Sequence, residues 1–300
     1  MMPSLGLSPH VRLASWIPPR ADGLHLCVLA SGSSGNASVL MINSGGRRHV
    51  ALIDLGLSPR RLRESLALVN LKISHIDSVL ITHLDSDHCH PGWRTTSSRP
   101  SNLPETTPIH LAADHIAEAG VIGLHGGRGG KRLIAFESSF TIAGSASVAV
   151  HFNPHDLEGT ASFRIEHSSQ SMGFATDLGR ATPGLVNLLR NVDVLAIESN
   201  YCPQMQLASN RPLFLKKRVM GGAGHLSNHE AHKAVGEIQP RQHVIFIHLS
   251  RQCNAPELVD DLHRSAPYRY TISSHDIPTP WISALPGITS VYPTQGMLFK

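Results

Sequence analysis

The sequence predicts an α+β fold in which two β-sheets face one another with helices on the outside. Three observations carry this. Apolar, strand-like runs fill both halves of the chain, the clear helical stretches fall between them, and in both halves the runs end in clusters of polar side chains. No composition break divides the 300 residues. One domain is therefore expected over residues 23–300, with 1–22 as an N-terminal extension and a C-terminal tail from about 265.

The elements follow in order. Residues 1–22 hold Pro3, Pro18 and Pro19 and show no period. "LHLCVLASGSSGNASVLMI" is an apolar run, a Gly/Ser turn and a second apolar run, so strands are expected near 24–30 and 37–42. "RRHVALIDLGLS" offers a third strand that ends at Asp54 and Gly56. Residues 59–69 begin with proline and place Leu62, Leu66 and Val69 on one face, as an amphipathic helix does. "HIDSVLIT" is a buried strand. Residues 92–108 are rich in Ser, Thr and Pro and form a loop. "PIHLAA" is a short strand followed by a short helix. "GLHGGRGGK" lacks the GxxxxGK[ST] spacing of a phosphate loop, because Arg132 follows Lys131, and is expected to be a turn. "SVAVHFN", "ASFRIEH" and "SMGFAT" are strands. A helix near 182–190 precedes the strand "VDVLAIES". Residues 228–237 are helical, capped by Ser227 or Asn228. "HVIFIHLS" is a buried strand, and 255–264 a helix with an early proline.

The bulk properties exclude several classes. No apolar run reaches the roughly 18 residues that a membrane-spanning helix needs, so no membrane association is expected, and the first twenty residues lack the apolar core of a secretory signal. Cys27, Cys89, Cys202 and Cys253 form no CxxC pair. That argues against a disulfide scaffold or a thiolate zinc site and fits a reducing, cytoplasmic setting. The net charge of +4 tolerates a polyanionic substrate without requiring one. With 20 histidines in the chain, only those at strand ends beside carboxylates invite a functional reading.

Five places meet that condition. "SVLITHLDSDHCH" offers His83, Asp85, Asp87 and His88; "VAVHFNPHD" offers His155; "GFATDLG" offers Asp177; "GGAGHLSNHEA" offers His225; and "VIFIHLS" offers His248. Strand ends of a sandwich share one edge, so these clusters can converge. Just past a strand, residues i and i+2 project to one side, so His83 and Asp85 can approach one ion together. Asp87 and His88 follow as the chain turns and can reach a neighbouring ion. Each ion needs a distant ligand, for which His155 and His248 are candidates, and Asp177 can bridge. Imidazole and carboxylate without thiolate suit zinc, manganese or iron, and an incomplete mixed set suits catalysis.

These motifs resemble the metallo-β-lactamase superfamily, whose signature is HxHxDH followed by separate His, Asp and His ligands. Within it, "LASGSSGNASVLMI", "LIDLGLS", "FATDLG", "GGAGHLSNHEA" and "HLSRQCNAPEL", in order from about residue 24 to 262, resemble the WalJ/YycJ type of phosphodiesterase and nuclease. The resemblance implies a four-layer αββα sandwich with two divalent metal ions at one edge. It also implies phosphodiester hydrolysis of a nucleic acid substrate, with 5′-to-3′ DNA exonuclease action proposed for that type. Carried over, His83, Asp85 and His155 would hold one ion, Asp87, His88 and His248 the other, and Asp177 would bridge. Asp87 and His225 would act in catalysis, His225 as general acid or phosphate contact. Such a dinuclear centre lowers the pKa of water toward about 7. Asp54 would orient a ligating histidine, and Ser33, Ser34 and Asn36 would support the site or face a phosphate.

Asp85 departs from the family pattern, which has histidine there. A carboxylate makes that position harder and favours manganese or iron over zinc. Two rivals stand beside the phosphodiesterase: a hydrolase of the same fold acting on a lactam, thioester or lactone, and a metal-binding regulatory module that has lost catalysis through Asp85. Oligomeric state is not legible in the sequence.

Overall fold

The apolar runs pair into two seven-stranded sheets in the computed structural model, which describes residues 16–95, 102–124, 132–156 and 159–285. In the first sheet, β1 (Gly23–Ala30), β2 (Ala37–Ser44) and β3 (Arg47–Ile53) form an antiparallel meander. β4 (Ser78–Leu80), β5 (Ile109–Ala112) and β6 (Leu133–Phe136) extend it in parallel. In the second sheet, β7 (Ser139–Ile142), β8 (Ala146–Asn153), β9 (Thr160–His167) and β10 (Gln170–Ala175) are antiparallel. β11 (Val194–Glu198), β12 (His243–Ile247) and β13 (Arg269–Ile272) then run parallel to β10. β14 (Ile282–Ser283) returns to pair with β1.

The core explains the layers. Leu24, Leu26, Leu40 and Ile53 of the first sheet pack against Phe163, Ile165, Phe174 and Ile247 of the second. Alternate residues point outward: Leu29, Met41 and Leu52 meet Leu62 and Leu66 of α1 (Pro59–Leu68). Behind the second sheet, Leu195, Val244 and Phe246 meet α3 (Pro183–Leu189), α6 (Asn228–Ile238) and α7 (Pro256–His263). The result is helix, sheet, sheet, helix. β10, β11 and β12 are buried on both faces, which is why they read as continuous apolar runs instead of alternating ones.

Helix ends follow their local chemistry. Ser58 caps α1, with proline in its first turn. Ser227 caps α6 and exchanges hydrogen bonds with Glu230 in a capping box, an arrangement that contributes about 1 kcal/mol. α2 (Ile116–Val121) is a single short turn after β5. α4 (Pro203–Ala208) and α5 (Leu213–Met220) interrupt the connection between β11 and α6.

The elements expected from sequence are present, with boundaries within a few residues, although "HIDSVLIT" contributes only three residues to β4. β6, β7, α4, α5, β13 and β14 come in addition. The segment beyond 265 supplies β13 to one sheet and β14 to the other. Residues 125–131 of the glycine-rich turn, and 1–15 of the extension, lie outside the described residues. Among those described, no helix is long and apolar enough to cross a membrane.

Candidate active site

Six strands that share one direction within their sheets deliver their C-terminal ends to one edge. β3 delivers Asp54, β4 the His83–His88 segment, β8 His155, β10 Asp177, β11 Glu198 and β12 His248. Asp54, Asp177 and His248 each adopt a left-handed backbone, with φ of 65°, 52° and 59°. Non-glycine residues there are strained by roughly 1–2 kcal/mol. This backbone breaks the alternation of the strand just where each of these side chains joins the site.

The HxDxDH segment is fixed by its neighbours. Asn36 donates its backbone N–H to Asp87 O (2.8 Å), Leu55 donates to His88 O (2.8 Å), and His90 donates to Leu55 O (2.9 Å). Gly56 packs so tightly here that a Cβ would fall 1.7 Å from Asp87 O, which accounts for glycine in "LIDLG". The "SGSSGN" turn closes the other side. Asn36 is buried, gives its amide to Asp87 O and packs its side-chain nitrogen 2.9 Å from His88 Nε2, so it braces the segment. Ser33 lines the cleft. The Ser34 hydroxyl accepts from Arg251 and its carbonyl from Arg61.

Two sets of donors result. His83, Asp85 and His155 form the first, with Asp85 Oδ2 3.7 Å from His83 Nε2 and 3.8 Å from His155 Nε2. Asp87, His88 and His248 form the second, with Asp87 Oδ2 3.4 Å from His248 Nε2 and 3.9 Å from His88 Nε2. Asp177 lies between them. Its Oδ2 is 2.9 Å from His88 Nε2, and its Oδ1 is 3.5 Å from His248 Nε2 and 3.9 Å from His155 Nε2.

Each histidine points Nε2 inward because Nδ1 is held behind it. His88 Nδ1 donates to Asp54 (2.7 Å), His155 Nδ1 to the carbonyl of Gly224 (2.9 Å), and His248 Nδ1 to Glu198 (3.2 Å). His83 Nδ1 donates to the Thr82 hydroxyl (3.0 Å), which donates in turn to Asp54. This is the support that metal-ligating imidazoles require. His83 Nε2 is buried with no hydrogen-bond partner, a costly state for a polar atom unless an ion takes its lone pair. The donor set thus fits divalent cations.

The electrostatics agree. In the chain without bound ions, burial opposes charge on His155 and His248, but the surrounding carboxylates outweigh it. His155 is pushed up to about 9, chiefly through Asp85, and His248 up to about 10, chiefly through Asp177. His88, fully buried, is also raised, by Asp177 and Asp54. Burial among other imidazoles holds His83 neutral, down to about 3. A cation must therefore displace protons from His88, His155 and His248. At pH 7 binding should release about two to three protons per chain, and affinity should rise with pH at least until His155 and His248 titrate near pH 9–10. Proton release on metal addition in weakly buffered solution checks this. Release independent of pH between 7 and 10.5 would contradict it.

His225 comes from the loop between α5 and α6, not from a strand end. Its Nδ1 donates to Glu198 (2.6 Å) and lies 3.5 Å from Asp177 Oδ1, which leaves Nε2 for the cleft it lines. Glu198 was not anticipated from sequence. It is fully buried, accepts from both His225 and His248, and takes the backbone N–H groups of Leu178 and Leu226. Burial alone would protonate it, but the two histidines keep it ionised. The signal was present: "VLAIE" is a sixth apolar run ending in a ligand-type side chain. His90 accepts from Gly92 N–H as a turn residue. Cys89 is buried, with its thiol pushed up to about 12, and is inert.

A cleft of about 330 Å³ opens over both sets, lined further by Ser33, Arg211, Leu215, Arg218, Ser250 and Gln252. The layered fold and this edge site define a class. The chain matches the beta-lactamase superfamily domain over residues 49–249, more than half its length, and belongs to that family. Proteins of this fold generally bind divalent metals and include hydrolases.

Among curated proteins it is similar to exodeoxyribonuclease WalJ of Streptococcus pneumoniae, at 26% identity over 79% of this chain and 85% of that protein. It is similar also to exodeoxyribonuclease YycJ of Bacillus anthracis, at 25% identity over 79% and 86%. Its fold resembles the crystal structure of the metallo-beta-lactamase fold protein YhfI from Bacillus subtilis. The TM-score is 0.63 at 16% identity, covering 86% of this chain and 99% of the other.

Proposed function

We propose that this chain is a divalent-metal-dependent phosphodiesterase that removes nucleotides from DNA ends. The observation that carries the reading is Asp177 seated between two three-residue donor sets. His83, Asp85 and His155 would hold one ion, and Asp87, His88 and His248 a second, either of them zinc, manganese or iron. When bound, such a pair supplies an activated water and neutralises charge on a phosphoryl group.

The chain's own groups do the rest. Asp54 and Glu198 lock the imidazoles in the tautomer that aims Nε2 inward. Asp87, one of the donors, faces the cleft, so its free oxygen can orient the attacking water. His225, with Nδ1 fixed on Glu198, offers Nε2 to the leaving oxygen or to a phosphoryl oxygen. Arg211 and Arg218 give the cleft a cationic wall suited to a polyanion. The names of the two exodeoxyribonuclease relatives favour a DNA substrate. Four free thiols, three of them buried, suit a reducing cytoplasm.

The test is direct. Manganese-loaded protein should release nucleotides from an end-labelled duplex and hydrolyse bis-p-nitrophenyl phosphate, without turning over lactam, lactone or thioester. Turnover of one of those esters alone would assign a different substrate. Fewer than two ions per chain with no hydrolysis would indicate a module without catalysis.

A further inference from the structure

Residues 203–220, α4 and α5, stand apart from the layered core. They carry Arg211, Lys216, Lys217 and Arg218 and no acidic residue. A small separate cluster anchors them, in which Leu215, Met205 and Met220 pack on Tyr201, Val219 and Cys253. The outer side of this segment is unusual for a surface. Phe214 is 73% exposed, and Leu213 and Leu207 are exposed as well. Phe214 lies one helical turn before Arg218 and three residues after Arg211, and both arginines line the cleft.

We infer that this segment is the strand-binding wall of the enzyme, with Phe214 as a platform on which an unpaired base stacks while Arg211 and Arg218 hold flanking phosphates. The inference rests on the phosphodiesterase reading and adds what the site recognises: a frayed or single-stranded end. An exposed aromatic between cations beside a cleft is how proteins track single-stranded nucleic acid, because every base offers a π-face and every linkage a charge. A base inside a duplex has both faces covered, so stacking on Phe214 selects unpaired nucleotides.

Charge complementarity favours a nucleic acid strand over a second copy of the chain, since a two-fold contact through this face would bring the cations against their own images. Arg211 is poised for the role. Its hydrogen bonds go to the neutral oxygens of Gln252, Gln206 and Ser250, so its charge is available. Arg218 is paired with Asp156 at the surface and would exchange that carboxylate for phosphate.

The experiment measures binding of a cleavage-resistant, phosphorothioate-linked single strand of twelve nucleotides by fluorescence anisotropy, against a blunt duplex of the same sequence. Phe214→Ala should weaken single-strand binding about tenfold or more, and Phe214→Trp should stay within about twofold of the unaltered protein. Neither should change the salt dependence. Arg211→Gln should lower the slope of log affinity against log salt by about 0.7. Wild-type affinity in Phe214→Ala, equal loss in both Phe214 variants, or a dimer that Phe214→Ala converts to monomer would overturn the inference. Turnover of bis-p-nitrophenyl phosphate by the unaltered protein is measured alongside. No turnover defeats the phosphodiesterase reading itself, whereas turnover with binding indifferent to Phe214 defeats only this one.

Discussion

Replacing Asp177 should abolish hydrolysis and release both ions together, with a loss of about a thousandfold or more in kcat/KM, or about 4 kcal/mol of transition-state stabilisation. The expectation follows from position. Asp177 is buried and reaches His88 with one oxygen and His248 and His155 with the other, so it couples the two donor sets. Without it each set keeps three ligands, but nothing shares charge between them. Buried among His248 and His88, its carboxyl is held well below the usual range even though burial opposes this. It therefore stays ionised wherever the enzyme operates.

Alanine is not the cleanest variant, because Asp177 has φ of 52° and alanine tolerates that backbone poorly. Asparagine tolerates it and keeps the shape while removing the charge. Asp177→Asn should thus fold like the unaltered protein, yet lose ions on dialysis and lose activity. Metal content by elemental analysis and hydrolysis of the labelled duplex decide it. Activity within tenfold of the unaltered protein, or one ion kept at full affinity, would show that Asp177 does not bridge.

The sequence made the fold legible where burial is two-sided or strictly periodic. β10, β11 and β12 had to be apolar through their middles because helices cover one face and the facing sheet the other. α1 declared itself through Leu62 and Leu66 behind a capping serine and a proline. What went unseen has physical reasons. β14 is two residues long and exists because β1 offers it an edge, a tertiary effect no local pattern encodes. β6 and β7 are four residues each and largely uncovered: β6 is apolar but exposes Ile134 and Ala135, and β7 carries Ser139 and Thr141. α4 and α5 expose Leu207, Leu213 and Phe214 to solvent, so their apolar positions do not trace a buried stripe.

In the site, every histidine at a strand end could be anticipated from the alternation of side chains. Glu198 ends an apolar run as the other site residues do, but its role as an acceptor shows only where His225 arrives from a distant loop to meet it. Asn36 can be named from sequence as a support of the site, but its partner, and the need for glycine at 56, show only against the backbone of Asp87, more than thirty residues away.

Asp85 carries the second large expectation. It sits on the solvent side of the first set, half exposed, at 3.7 Å and 3.8 Å from the Nε2 atoms of His83 and His155. An oxygen donor there gives a harder set with His83 and His155 than a third imidazole would, and harder donors favour manganese over zinc. Asp85→His should therefore raise the ratio of zinc to manganese bound, after dialysis against both at equal concentration, by about tenfold.

A second effect acts on both metals alike. Asp85 is the largest influence raising His155 toward its value of about 9, against the opposing pull of burial. Removing the carboxylate lowers that pKa, so fewer protons compete with metal at His155 at pH 7, while the charge that Asp85 would give the ion is lost. Asp85→Asn separates the two, because it removes the charge without supplying an imidazole. It should ease proton competition at His155 without the gain in zinc preference. A metal profile that is the same in all three proteins would mean that Asp85 does not touch an ion, and the first set would then have to be completed by another donor within reach of His83 and His155, of which Asp177 is the nearest available.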